Sequence, residues 1–202
     1  MGTFGNLIKR TGLKDRLGSS AQFLIVFIVL IWGIELVDKF TPTYKLDDWG
    51  IRPRSLWGLA GIPLSPLLHG GFGHLTANTI PLFVLGIIIG FRGLRNLVDV
   101  TIIIALVGGA GVWIIGKDAT HIGASGLVFG YFGFLIARGL FDKSVRSLLV
   151  GVLVLFLYGG LIWGVLPTQP GVSWEAHLCG LLAGALAAKM LSGRTSRLSS
   201  IE

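Results

Sequence analysis

Residues 121–139 read "HIGASGLVFGYFGFLIARG", an apolar run that opens on a serine held among glycines, with Ser125 between Gly123 and Gly126. Its length suits a membrane helix, because crossing the hydrocarbon core takes about 17–25 mainly apolar residues. The serine at its mouth has two readings. Small residues let membrane helices approach closely, so Ser125 can be packing filler; it can also be a nucleophile. The choice depends on which other polar side chains reach the same depth.

The rest of the chain is equally apolar. Of 202 residues, 52% are hydrophobic and 13% charged, with 31 glycines and a mean hydropathy of +0.78, well outside the range of a soluble domain. Six apolar blocks read as spans: 21–40, 73–91, 97–115, 123–140, 146–165 and 174–191. They predict an all-α membrane protein, a six-helix bundle over 21–191, with a basic segment at 1–20 and a tail at 192–202. The first block has no small-residue cleavage site after a short apolar core, so it reads as a retained helix and not a cleaved signal. The single cysteine, Cys179, excludes an internal disulfide and a Cys metal cluster, and neither a metal nor a cofactor is expected.

The formal charge of +7 is spread over short loops without aromatic interleaving, so anionic lipid headgroups are the expected partners and nucleic acid is not. With the N-terminus inside, twelve of the 17 Lys and Arg fall on the cytoplasmic side, among them Arg16, Arg92, Arg138 and Arg146. Lys39, Lys45, Arg52, Arg54 and Lys117 fall outside. This asymmetry obeys the positive-inside rule and predicts that both termini are cytoplasmic.

In that orientation the second, fourth and sixth blocks all run from outside to inside, so their starts share one outer depth. "GHLTANTIP" carries His74 and Asn78, "GASG" carries Ser125, and "SWEAHLCG" carries His177. At 1.5 Å per residue, all lie within about 10 Å of one level. Faces agree as well. His74 and Asn78 are four apart and project from one side of their helix, and Phe129 sits one turn below Ser125. His177, Gly180, Gly184 and Ala188 form a small-residue stripe, to which Ser125, Gly126, Gly130 and Gly133 offer a matching surface. Taken singly, each polar residue also reads as packing or interhelical glue. Two histidines level with a glycine-flanked serine inside a membrane point instead to function. His69 and His121 read as loop residues making local hydrogen bonds.

Together "HGGFGHLTANTIPLFVLG", "GASG" and "AHLCGLLAG" resemble the rhomboid intramembrane serine proteases. That family carries a His-xxx-Asn pair on its second helix, Gly-x-Ser-Gly opening the fourth and Ala-His-xx-Gly-xxx-Gly on the sixth. The resemblance implies Ser125 as nucleophile and His177 as general base, with Asn78, His74 and the Ser125 amide as the oxyanion site. It also implies Phe129 as a ring stacked on the histidine, and Gly123, Gly126, Gly180 and Gly184 as supporting positions. The implied substrates are single-span membrane proteins, and the implied location is a bacterial plasma membrane. "GIRPR", Gly50 to Arg54, looks like the family's first outer loop but lacks the Trp-Arg pair of some bacterial relatives. Two other classes remain: a transporter or channel, against which the one-sided clustering speaks, and an inactive rhomboid relative acting in binding or quality control.

The chemistry has its own logic. A serine hydroxyl is a poor nucleophile until a base within hydrogen-bond reach takes its proton. A helix start supplies free N–H groups and a positive dipole end to a developing oxyanion. No carboxylate for a triad stands out: Glu175 points off the His177 face, Asp99 and Asp142 belong to the inner side, and Glu35 stays open. A Ser–His dyad is therefore expected, with Cys179 facing elsewhere. Residues 41–72 predict a compact interfacial element, and 166–173, "LPTQPGVS", read as either a lid or a plain loop.

Overall fold

The computed structural model describes residues 2–41, 45–168 and 171–192. The expected tail beyond 192 and residues 169–170 of the loop before the sixth block lie outside the described residues. Among the described residues, six long helical segments follow one another. They are α1 (Gly2–Phe40), α3 (Phe72–Gly90), the α4–α5 pair (Leu94–Ile103 and Gly109–Ile115), α6 (Ser125–Phe141), α7 (Val145–Tyr158) and α8 (Trp174–Ser192). Short α2 (Gly61–Leu64) lies between α1 and α3. Among the described residues, the β contact is an isolated bridge between Ile51 and His121.

Four of these segments are long and apolar enough to cross a membrane: Lys14–Phe40, Phe72–Gly90, Leu94–Ile115 and Val145–Val165. Ser125–Phe141 is apolar but shorter. Its position explains the difference. α3, α7 and α8 all pack on α6, and 13 of its 17 residues are buried, so this helix meets protein and need not match the lipid thickness. The peripheral helices are the reverse, with Phe156 85% and Phe40 79% exposed beside a core of Leu24, Leu82, Leu127 and Phe132. Apolar side chains turned outward are stable only where the solvent is itself apolar, so this is a multi-pass membrane protein.

Three elements differ from the expected blocks. The first helix begins earlier than its block, since α1 runs unbroken from Gly2 through the basic residues to Phe40. No proline interrupts it, and Gly12 and Gly18 each cost only about 1 kcal/mol relative to alanine. The third block contains a π-helical turn, Ile104–Gly108, between α4 and α5. The fifth block is α-helical only to Tyr158 and tightens into a 3-10 stretch, Gly159–Val165, at the Gly159–Gly160 pair.

The segment between α1 and α3 folds into short 3-10 turns around α2, with Trp57 and Leu56 more than 80% exposed, as suits an element lying in the membrane interface. Arg54 pins it to the bundle. Its guanidinium donates to the carbonyls of Gly116 (2.8 Å) and Ile114 (3.2 Å) at the end of α5, which holds Arg54 at a φ of 59°.

Candidate active site

The chain enters α6 through Gly123, whose φ of +117° is a conformation that favours glycine. A Cβ there would also lie 2.5 Å from His74 Cε1, so glycine is required by space as well as by backbone. That same point is 2.7 Å from His74 Nε2 and 3.6 Å from Ser125 Oγ. The His74 ring and the serine hydroxyl therefore both border Gly123. Ser125 is the first residue of α6, and its N–H makes no backbone hydrogen bond among the described residues. Such an N–H is one of the free donors of a helix start.

α8 approaches α6 along bare backbone. A Cβ at Gly180 would lie 2.2 Å from the Gly126 carbonyl oxygen, and one at Gly184 would lie 1.9 Å from that of Gly130. No side chain larger than hydrogen fits between them. This contact brings His177 alongside the first turn of α6, where its ring stacks on Phe129 with centroids 3.9 Å apart and planes 6° from parallel. Ser125 and His177 are both buried, at 9% and 8% exposure. Among the described residues Ser125 Oγ has no hydrogen-bond partner, so no bond joins the serine to the imidazole. Contacts of this kind commonly tighten only when substrate arrives.

The imidazole is oriented by a group that left no mark in the sequence. His177 Nδ1 lies 2.8 Å from the Gly164 carbonyl, in the 3-10 end of α7. A carbonyl only accepts, so Nδ1 carries the proton and Nε2 keeps its lone pair. Glu175 does not perform this task. Its carboxylate accepts from the Lys117 N–H (3.3 Å) and so ties the α8 start to the loop before α6. Glu35 is buried against the Gly71 backbone at the start of α3. Cys179 is buried against Gly111 of α5, away from the serine.

Asn78 is 5% exposed and uses one amide hydrogen on the His74 carbonyl one turn earlier, at 3.0 Å, which leaves its second N–H available. A cavity of about 30 Å³ lined by Ser65, His121, Gly123 and Gly126 adjoins the α6 start and is large enough to admit water.

Two loop histidines turn out to be structural members of the site. His121 Nε2 donates to the Lys117 carbonyl (3.0 Å), and Nδ1 accepts from the Ser173 hydroxyl (2.6 Å), so the loops before α6 and α8 are joined. His69 is 1% exposed, accepts the Ala124 N–H at Nε2 (3.2 Å) and meets the His74 ring edge-on at 5.2 Å. Burial, with the His74 charge adding to it, pushes the His69 pKa from 6.5 down to about 4. Between those values the unfolded chain binds the proton and the folded chain does not. The stabilisation is therefore complete above about pH 6.5 and is lost as pH falls toward 4, by about 3 kcal/mol at full extent. The detergent melting temperature is expected to fall between pH 7.5 and 5, and His69→Gln should flatten that slope. An unchanged slope in the variant would assign the acid sensitivity elsewhere.

Residues 53–194 match the rhomboid domain model. The chain belongs to the rhomboid family. It is 43% identical over 178 residues to "Uncharacterized protein Rv1337" of Mycobacterium tuberculosis (strain ATCC 25618 / H37Rv), covering 84% of this chain and 74% of that protein. It is 42% identical over 178 residues to "Uncharacterized protein ML1171" of Mycobacterium leprae (strain TN), covering 84% and 70%. It is also 29% identical over 177 residues to "Putative rhomboid protease YdcA" of Bacillus subtilis (strain 168), covering 81% and 85%. The matched rhomboid domain contains His74, Asn78, Ser125, Phe129 and His177.

Proposed function

We propose that this rhomboid is an intramembrane serine endopeptidase that cleaves single-span membrane proteins near the outer face of a bacterial plasma membrane. The observation that carries the reading is the state of His177: stacked on Phe129 and hydrogen-bonded at Nδ1 to Gly164, it keeps an unprotonated Nε2 beside the α6 start. In this mechanism Ser125 Oγ attacks the scissile carbonyl carbon while Nε2 takes the hydroxyl proton. The C=O electron pair moves onto oxygen, which is met by the Ser125 N–H, the Asn78 amide and His74. Collapse of the tetrahedral species breaks the C–N bond, and the imidazolium returns its proton to the leaving amine. Water, activated by the same nitrogen, then hydrolyses the acyl-enzyme ester. Gly164 takes the part that a carboxylate plays in a triad, without adding a second buried charge.

The reading includes six spans with both termini cytoplasmic and anionic lipids around the inner ends. In a Cys179→Ser background, cysteines at positions 94 and 143 should resist an impermeant thiol reagent in intact cells, while those at 47 and 118 react. Reversed labelling would move the site to the other face. The direct test is a serine-directed fluorophosphonate. Wild-type protein should be labelled at Ser125, and His177→Ala should remove the label. A folded wild-type chain that takes no label would instead favour an inactive rhomboid-like binding protein.

A further inference from the structure

At the end of the bundle opposite Ser125, a second cavity of about 530 Å³ opens between α3 and α7 over the last turns of α6. Ser125 and Arg138 stand at the two ends of α6, 13 residues or about 20 Å apart. Four arginines line the cavity, Arg16, Arg92, Arg138 and Arg146, with no acidic side chain among the lining groups. Two are held in place. The guanidinium groups of Arg92 and Arg138 both donate to Asp142 Oδ2, Arg138 Nε at 2.8 Å, and Ser147 Oγ adds a 2.9 Å bond from Arg92 Nη2. Arg16 and Arg146 stand exposed at the rim and have no carboxylate partner among the described residues.

Below the arginines the lining changes character. Beyond Arg146 and Ser147, from Val150 to Val154 along α7, one turn or about 6 Å, the wall is apolar, with Phe134 and Ile89 facing it from α6 and α3. A free inorganic anion would fill only the mouth of such a space, and an uncharged hydrocarbon would leave the charges of Arg16 and Arg146 without a counter-ion. A molecule with an anionic head and an acyl tail satisfies both parts. We infer that this cavity binds one anionic glycerophospholipid of the inner leaflet, its phosphate between Arg16, Arg92 and Arg146 and an acyl chain along α7. The inference rests on the proposed topology for its leaflet but not on the protease chemistry, since it uses none of the residues near Ser125.

Native mass spectrometry of the detergent-purified full chain tests it. With equimolar dioleoylphosphatidylglycerol and dioleoylphosphatidylcholine, wild-type protein should retain one phosphatidylglycerol in preference to phosphatidylcholine by about tenfold or more. Arg16→Gln combined with Arg146→Gln, both at exposed rim positions, should bring that ratio close to one. Leu153→Trp, which fills the apolar part from a half-exposed position, should lower phosphatidylglycerol retention with no change of charge. Equal retention of the two lipids by wild-type protein, or variants that keep the wild-type ratio, would overturn the proposal. So would displacement of the lipid by millimolar inorganic phosphate, which would mark a site for free anions.

Discussion

Replacing Ser125 or His177 by alanine is expected to slow cleavage of a model transmembrane substrate by at least about 10⁴-fold, without loss of folded protein. Each substitution removes one half of a proton-transfer pair. Ser125→Ala leaves an imidazole with nothing to activate. His177→Ala leaves a hydroxyl with no base, and also strips the ring from Phe129 and the hydrogen-bond donor from the Gly164 carbonyl. Because the pair acts as a unit, the double variant should be no slower than either single one. The measurement is turnover per folded molecule in detergent micelles or vesicles. Full activity of Ser125→Ala, or inhibition by a chelator, would end the serine mechanism.

Asn78 gives the second large effect and separates chemistry from packing. Loss of one oxyanion donor slows turnover by about 10²–10³-fold, or roughly 3–4 kcal/mol, and leaves ground-state binding largely intact. A polar residue that merely joins membrane helices is worth about 0.6 kcal/mol on average. In the structure one Asn78 hydrogen is engaged within its own helix, so the catalytic reading rests on the other. Asn78→Ala should therefore reduce turnover at least tenfold, at unchanged melting temperature and unchanged substrate affinity. A variant that melts earlier but cleaves at the normal rate per folded molecule would make Asn78 a packing residue.

Much of the bundle was legible because its signals are local. A run of apolar residues declares a span by length alone, and "GASG" before such a run announces a helix start with room around the serine. The small-residue stripes on α6 and α8 were readable from four-residue spacing. What stayed hidden depends on the backbone or on distant neighbours. Gly164 acts through its carbonyl, which every residue possesses, so no side chain advertises the contact with His177. His69 looks like a loop residue because it precedes two glycines, yet the interfacial segment folds back and buries it against Ala124. The π-turn at Ile104–Gly108 and the 3-10 end of α7 lie within uniformly apolar blocks, where period and hydropathy carry no trace of a local change in winding.

The bare contact between α6 and α8 also sets an axial tolerance. A glycine every fourth residue on α8 meets a carbonyl every fourth residue on α6, Gly180 on Gly126 and Gly184 on Gly130. A slip of α8 by one residue, about 1.5 Å, would drive a Cβ into each of those oxygens. The two helices thus engage like a rack and its stop, with one permitted notch. The height of the imidazole above the serine is fixed by main-chain atoms, which have no rotamers to lose, and so it survives exchange of almost any side chain around it.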